Sequence, residues 1–479
     1  MNSGKRILLF IKTYQYELIF AVALIWFYIW ALNLLKLPLF WDEIGVYGRG
    51  IFSMMDSKIS LHPDALPPEI SRGHPLLFTY LIAGWGYLFG DTVMALRAAA
   101  LLVSLLFIVS AFWLFPDREG RRSPFPVIVV LVQPVFLAQS TLLLPEMMLS
   151  LFTLLAIAGY LRRQYWLYFL AASAMILVKE TALILVCGFV AFDFLNTLIK
   201  EKKLMQFRFL LYLLPLLPYL LFLWIQKQTH GWYFFPYHMG GFNLEWKAIK
   251  GNLDGFLTFL FVSQGRYLWL ILGGLVAGVW LTTQKSWKKL LPIFQPFDAI
   301  ALFLSLVYLL FYCTTYYMNR YILVIVLLVA LVLGRGIWQM VRQLSPSLSW
   351  LPALVLIGLM GLIQAPYQNS GKFTYDEDMS YRTYTKATRQ AIHYFLEQKM
   401  YEQPFHVNFP LDFALLDHRY GYLPDSMETM LNYPITEETQ NVLLMVPPQG
   451  ANNPKKQPLT QVHNWWCGYV EIRHLKPGE

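Results

Sequence analysis

Two adjacent carboxylates, Asp42 and Glu43, lie a few residues beyond the first long apolar stretch of the chain. They follow Trp41, in a long loop that is interrupted by prolines and glycines. A carboxylate at a membrane surface meets both lipid-borne and water-borne molecules, and it can act there as a general base towards a hydroxyl group. The alternative is a pair of solvated loop acids. Both carboxylates are candidate bases, and the residues alone do not show which of the two faces a substrate.

The end of the same loop carries a candidate anion site. Arg72, Gly73 and His74 precede Pro75, a residue suited to the first turn of a helix. His74 would then lie at a helix N-terminus, where backbone N–H groups favour phosphate. The alternative is an ordinary capping or interfacial histidine. We assign His74 to phosphate binding and Arg72 to the substrate cavity.

Three further ionisable residues lie where apolar segments meet. Glu146 follows Pro145 at the start of one segment, and Lys179 and Glu180 join two others with almost no loop. Charges this close to hydrocarbon are costly and are commonly functional. We predict Lys179 as a phosphate contact and Glu180 as a cavity residue, and Glu146 is a candidate because an acid so close to hydrocarbon is costly. The alternatives are a plain helix start for Glu146 and an ion pair that pins two helices.

The remaining candidates come from a later turn and from a second long loop. Arg320 opens an apolar segment and is suited to gripping a phosphate with two hydrogen bonds; alternatively, it extends to lipid headgroups. Tyr317 lies in the same turn. His230 and Tyr233 belong to the second loop, where they could stack on a sugar or gate a cavity. We assign Tyr317, His230 and Tyr233 to the substrate cavity.

The composition defines the environment in which these residues work. Of the 479 residues, 57% are hydrophobic and 14% are charged, against about 25% charged in soluble domains. The chain is therefore a polytopic membrane protein. Its net charge of +9 comes mainly from short loops between apolar segments, which indicates topology rather than nucleic-acid binding. The three cysteines have no zinc or disulfide spacing, and there is no glycine-rich nucleotide loop or serine nucleophile elbow.

Apolar segments of sufficient length predict about eleven transmembrane helices, with the N-terminus in the cytoplasm. The predicted helices lie at about 18–35, 92–115, 125–140, 146–160, 166–178, 181–198, 208–226, 267–282, 297–314, 320–336 and 349–364. Residues 75–89 are predicted to be re-entrant or to lie along the interface. If they crossed the bilayer, most of the basic loops that follow would lie outside, against the positive-inside rule.

Two domains follow from the change in composition after the last apolar helix. Residues 1–366 form the transmembrane domain, with long outer loops at 36–91 and 227–266. Residues 367–479 are polar, and we predict that they form a small α/β domain outside the cytoplasmic membrane. Its predicted elements are a helix from Tyr381 to Lys399 and strands at Asn441–Val446 and Gly468–Ile472.

Six short motifs occur together in one order. They are Asp42-Glu43, His74-Pro75-Leu76, Phe89-Gly90-Asp91 followed by Ala95-Leu96-Arg97, Leu144-Pro145-Glu146-Met147, Lys179-Glu180-Thr181 and Asn319-Arg320-Tyr321. In this order the motifs resemble those of the membrane-embedded C-type glycosyltransferases. The nearest subgroup contains bacterial relatives of the dolichyl-phosphate-mannose protein mannosyltransferases and of the lipid A aminoarabinose transferase. The resemblance covers nearly all of the membrane domain.

The resemblance implies transfer of a hexosyl or pentosyl group from a polyprenyl-phosphate donor, at the outer face of the cytoplasmic membrane. It implies Asp42 as the base, with Glu43 as the residue that would replace it, and Glu146 as a second acid of the cavity. It also implies Lys179 and Arg320 as phosphate contacts, and the acceptor is a protein, a glycan or a lipid. Gly73 replaces an acid that binds a metal in some relatives, so no cofactor is expected, although a hydrated divalent cation stays open. One alternative function is a transporter or flippase of a lipid-linked or anionic substrate, with the intramembrane charges along its path. A second alternative is a catalytically silent receptor or assembly protein.

Overall fold

The computed structural model describes residues 13–117, 119–201, 208–236, 240–285, 293–345, 375–403, 405–407 and 411–424. It also describes 351, 354–355, 357–359 and 362, which are helical, and the strands at 441–445, 459–465 and 470–475. The last predicted membrane helix, at 349–364, is therefore described only in part. Much of the predicted C-terminal domain lies outside the described residues.

Helices dominate the structure. They are α1 (Gln15–Leu32), α2 (Arg49–Asp56), α3 (Leu77–Phe89), α4 (Val93–Leu114), α5 (Phe125–Leu131), α6 (Pro134–Gln139), α7 (Pro145–Leu161), α8 (Tyr165–Val178), α9 (Leu183–Glu201), α10 (Arg208–Leu213), α11 (Leu216–His230), α12 (Trp246–Phe261), α13 (Tyr267–Gln284), α14 (Pro296–Tyr312), α15 (Leu323–Leu344) and α16 (Ser380–Glu397). Every predicted membrane segment from α1 to α15 contains a helix, and the all-α polytopic fold is confirmed.

Six helical segments in the described part of the chain are long and apolar enough to cross a membrane. Four apolar helices are shorter, and α3 is one of them. The location of α3 along the interface stays a prediction. α15 lies at the centre of the bundle, because 83% of its apolar window is buried, whereas α13 lies at the edge with 11% buried.

Prolines break two of the predicted helices. The segment predicted at 125–140 divides into α5 and α6, because Gln133 is extended (φ −74°, ψ 121°) before Pro134. A residue that precedes proline is disfavoured in helical conformation. The segment predicted at 208–226 divides likewise into α10 and α11 next to Pro215. Helix α6 ends at Gln139, shortly before α7 begins with Glu146 in its first turn.

The described part of the C-terminal region combines α16 with a four-stranded sheet. The strands are β1 (Phe405–Val407), β2 (Asn441–Met445), β3 (Leu459–Trp465) and β4 (Val470–Leu475), in the order β1-β2-β4-β3. β1 is parallel to β2, and the other pairs are antiparallel. The predicted helix and both predicted strands are present, whereas β1 and β3 were not predicted.

The C-terminal region packs on the first long loop, next to Asp42. The N–H of Leu39 donates to the carbonyl of Tyr420 at 3.0 Å, and the hydroxyl of Tyr422 donates to the carbonyl of Leu39 at 2.8 Å. The ring of Phe40 meets that of Tyr384 from α16 at 5.4 Å between centroids. These contacts hold the backbone just before Asp42.

Candidate active site

A tight turn sets the direction of Asp42. Trp41 has a positive φ of 47°, a left-handed conformation that is uncommon outside glycine, and its ring meets that of Tyr375 edge-on at 4.8 Å. A π-helix from Glu43 to Gly48 follows, a conformation that recurs at functional sites. The side chain of Asp42 makes no capping hydrogen bond to this helix. Its carboxylate is therefore available to partners from other parts of the chain.

Glu43 lies in an ion pair of its own. Its Oε2 accepts from Arg97 Nη2 at 2.6 Å and from the N–H of Phe40 at 2.9 Å, and its Oε1 accepts from the N–H of Leu143 at 2.7 Å. Both charged side chains are fully buried. Burial raises the pKa of Glu43 to about 7, while Arg97 and the two backbone donors act in the opposite direction. This environment favours a structural role for Glu43 and leaves Asp42 as the candidate base.

Five charged side chains from distant parts of the sequence meet at one end of the bundle. We call Asp42, Glu146, Lys179, Arg320 and Asp376 the charged cluster. Arg320 is its centre: Nη2 donates to Asp42 Oδ2, and Nη1 donates to Asp376 Oδ2. Its Nε lies 3.6 Å from Glu146 Oε1. One guanidinium group is thus surrounded by three carboxylates.

Lys179 joins the charged cluster through Glu146. Its Nζ donates to Glu146 Oε1 at 2.9 Å and lies 4.0 Å from the ring centroid of Tyr321. Helix α8 ends at Val178, and Lys179 itself is extended. Helices α7 and α8 form a hairpin, so the first turn of α7 lies beside the last turn of α8. Glu146 and Lys179 are therefore brought together. The ion pair that was the alternative for Lys179 forms with Glu146 rather than with Glu180.

Burial and charge balance set the chemistry of the charged cluster. The side chains of Glu146, Arg320 and Asp376 are at most 3% exposed, whereas that of Asp42 is 18% exposed. Three carboxylates and two cations give a formal net charge of −1 when all are ionised. Asp42 is therefore the carboxylate of the cluster that solvent or a substrate reaches most easily.

The sequence did not identify Asp376 as a site residue. It belongs to the segment Tyr375-Asp376-Glu377-Asp378, which precedes α16. Burial raises the pKa of Asp376, against the opposing effect of Arg320. The signal was a run of three acids shortly after the last apolar segment, in a region assigned to a separate domain.

His74 and Glu180 form a second pair beside the charged cluster. His74 Nδ1 lies 3.1 Å from Glu180 Oε2. A small cavity of about 20 Å³ is lined by both His74 and Lys179, and it has room for about one water molecule. A side chain at Gly73 would come within 2.9 Å of Phe235 Cβ. The glycine thus lets the two long loops approach each other behind His74.

The other predicted cavity residues lie away from these contacts. His230 Nε2 lies 3.1 Å from the carbonyl oxygen of Pro63, Tyr233 is half-exposed, and Arg72 ends a short helix in left-handed conformation. Tyr317 packs on Phe256 at 4.7 Å between ring centroids. These residues border the two loops, and none of them makes a hydrogen bond or ion pair to the charged cluster among the contacts that the structure describes.

Comparison with solved structures identifies the fold: the chain has the fold of the membrane-embedded C-type glycosyltransferases. The similar structures are those of ArnT, the lipid A aminoarabinose transferase, from Cupriavidus metallidurans. The resemblance predicted from the six motifs is thus confirmed at the level of the fold.

Two ArnT structures are similar to this chain at 18% sequence identity. The structure bound to undecaprenyl phosphate superposes with a TM-score of 0.55, covering 80% of this chain and 73% of ArnT. The apo structure gives 0.53, with 79% and 70% covered. No family model and no curated protein matches the chain.

Proposed function

We propose that this protein transfers a sugar from a polyprenyl-phosphate donor to an acceptor hydroxyl at the outer face of the cytoplasmic membrane. The observation that carries the proposal is the charged cluster, in which two buried cations lie beside a partly exposed carboxylate. The fold shared with ArnT supports it, because one ArnT structure holds undecaprenyl phosphate.

In the proposed reaction, the acceptor oxygen attacks the anomeric carbon and Asp42 takes the proton of the acceptor hydroxyl. The bond between the anomeric carbon and the phosphate oxygen breaks, and its electron pair leaves with polyprenyl phosphate. The sugar is then joined to the acceptor with inverted configuration, because attack and departure take place on opposite faces.

The growing negative charge on the phosphate requires preorganised cations. Lys179 and Arg320 are buried and fixed by carboxylates and aromatic rings, so little reorganisation is needed when the charge develops. They supply this charge themselves, and the proposal includes no metal ion. Glu146 holds both cations in place and acts as the second acid of the cavity. His74 is proposed to border the phosphate through the small cavity.

The proposed donor is a hexosyl or pentosyl polyprenyl phosphate, and the acceptor hydroxyl belongs to a protein, a glycan or a lipid. The two long loops and the C-terminal region are proposed to lie on the donor side of the membrane. The C-terminal region packs on the loop that carries Asp42, a suitable place for docking an acceptor.

Reconstituted protein tests the proposal directly. Purified protein in liposomes receives a radiolabelled polyprenyl-phosphate sugar, with an envelope extract as the acceptor source. We expect release of polyprenyl phosphate and transfer of the label. Movement of the intact donor across the bilayer without cleavage would instead show a flippase.

Two variants, one at Lys179 and one at a control lysine, test whether Lys179 contacts the phosphate. Lys179→Met should weaken donor binding, because it removes a charge-assisted hydrogen bond worth roughly 1.5–3 kcal/mol. Lys58→Met, at an exposed position of the first loop, is the matched control and should bind the donor normally. Equal donor affinity in both variants would exclude Lys179 from the phosphate site.

A further inference from the structure

The structure raises a question about the proposed base: Asp42 Oδ2 accepts a hydrogen bond from Arg320. The guanidinium occupies one of the two oxygens of the Asp42 carboxylate. The same guanidinium is needed by the donor phosphate. The reaction therefore requires the partners of Arg320 to change when the donor enters.

We propose that Asp376 is a positioning residue: the donor phosphate displaces Asp42 from Arg320, whereas Asp376 remains bound and keeps the guanidinium oriented. This inference rests on the proposed function. The displaced Asp42 is then free to receive the proton of the acceptor hydroxyl. Binding of the donor thus exposes the base, and the base is masked while the site holds no donor.

The difference between the two carboxylates lies in what anchors them. The carbonyl oxygen of Asp376 accepts from Gln139 Nε2 at 2.8 Å. The next residue, Glu377, accepts from Asn319 Nδ2 at 3.0 Å through its side chain and from Gln264 Nε2 at 3.1 Å through its carbonyl. Three elements of the bundle therefore hold this segment, which fixes Asp376 more firmly than its ion pair alone would.

Asp42 has far weaker anchoring. Its side chain is six times as exposed as that of Asp376, 18% against 3%. It makes no hydrogen bond to the helix that it precedes. Within the described residues, its one ion pair is that with Arg320. An incoming phosphate would therefore displace Asp42 at lower cost than Asp376.

Charge balance favours displacement of Asp42 over addition of the phosphate to the intact charged cluster. The charged cluster has a formal charge of −1 when ionised, and a phosphodiester adds another negative charge. When the phosphate replaces Asp42 on Arg320, the phosphate and Asp376 share the guanidinium, and the displaced Asp42 carboxylate regains water. After transfer, the proton remains on Asp42 and the electron pair leaves on polyprenyl phosphate, so atoms and charges balance.

The test uses Asp376→Asn in the full-length protein, with polyprenyl phosphate as the binding probe and labelled donor as the substrate. Loss of one negative charge beside Arg320 should tighten binding of polyprenyl phosphate at least about threefold. The kcat should fall by about tenfold or more, because the guanidinium loses its orientation. A residue with a purely structural role would weaken binding and turnover together.

Glu402→Gln is the control, because Glu402 is an exposed acid of the same C-terminal region, 3.7 Å from Lys399. It should stay within about twofold of wild type at pH 7. If Asp376→Asn does not fold, Asp376→Glu replaces it. That variant keeps the charge and should show wild-type affinity for polyprenyl phosphate with a reduced kcat.

Unchanged or weaker binding of polyprenyl phosphate to Asp376→Asn would overturn this inference while leaving the proposed function intact. Wild-type affinity and wild-type kcat in Asp376→Glu would also overturn it. A wild-type protein that neither binds polyprenyl phosphate nor cleaves the donor would refute the proposed function itself.

Discussion

Neighbouring acids can take opposite roles when their surroundings differ. Asp42 belongs to the charged cluster and is partly exposed, whereas Glu43 is buried against Arg97. Removing one partner of a buried ion pair is costly, because the other charge is then left without compensation. Asp42 is therefore the residue whose loss should affect chemistry, and Glu43 is the residue whose loss should affect folding.

Glu43→Gln should lower the stability of the protein by about 3–5 kcal/mol, since it leaves the buried Arg97 without its counter-charge. The measurement is thermal unfolding in detergent at pH 8, above the pKa of about 7 of Glu43, where the pair is ionised. Asp64→Asn, at a half-exposed acid of the same loop, is the control and should unfold like wild type. Equal melting temperatures for the two variants would show that the pair contributes little.

Glu377 should make donor binding depend on pH. Burial raises its pKa to about 8, and the neighbouring Asp376 acts in the same direction. The carboxyl is therefore neutral below pH 8 and negative above it. A negative charge next to the site repels the donor phosphate, so donor affinity should fall as the pH rises through 8. In Glu377→Gln this fall should be absent; its persistence would assign the effect to another group.

Sequence reasoning identified four of the five members of the charged cluster, because acids and bases next to apolar segments are costly and conspicuous. It did not identify which residues pair with one another. Which carboxylate meets Arg320 depends on the folding of segments hundreds of residues apart. Asp376 was missed because its acid run resembles a solvated linker until the turn at Tyr375 brings it back to the bundle.

At the scale of elements, the hairpin of α7 and α8 positions Glu146 and Lys179. At the other end of the hairpin the two helices approach each other closely, because a Cβ at Gly159 would lie 2.6 Å from the backbone nitrogen of Tyr168. Only glycine leaves room for the two helices to cross at this distance. The hydrophobic pattern predicted both helices. The distance between α7 and α8 depends on the contact of Gly159 with the backbone of Tyr168, which a hydrophobic pattern does not reveal.

Gly159→Ala should destabilise the protein by about 1–3 kcal/mol, because the added methyl group overpacks the crossing. Gly278→Ala in α13, where nothing lies within 4 Å of the added atom, is the matched control. Thermal unfolding in detergent compares the two. A Gly159→Ala protein as stable as the control would mean that α7 and α8 can separate without cost.

At the scale of the whole molecule, the charged cluster lies at one end of the bundle and a second group of charges lies at the other. Arg335 and Asp298 are in contact at 3.2 Å, and Arg342 contacts Asp117 at 3.0 Å. The predicted topology assigns the first end to the outside and the second to the cytoplasm.

Single cysteines test this assignment in a background without the three natural cysteines. Ser57→Cys in the first long loop and Glu119→Cys in the turn after α4 both lie at exposed positions. An impermeant thiol reagent applied to intact cells should label Ser57→Cys alone, and permeabilised cells should label both. Labelling of both from outside would contradict the eleven-span topology.

The central claim is that Asp42 accepts the proton during sugar transfer, and single-turnover transfer by Asp42→Asn tests it most directly. The substitution keeps the size of the side chain but removes the base. The transfer rate should fall by about 10²–10⁴-fold, while affinity for polyprenyl phosphate stays near that of wild type or increases. Asp64→Asn, also in the first loop, should transfer at the wild-type rate. An Asp42→Asn protein that transfers sugar at full rate would contradict the mechanism.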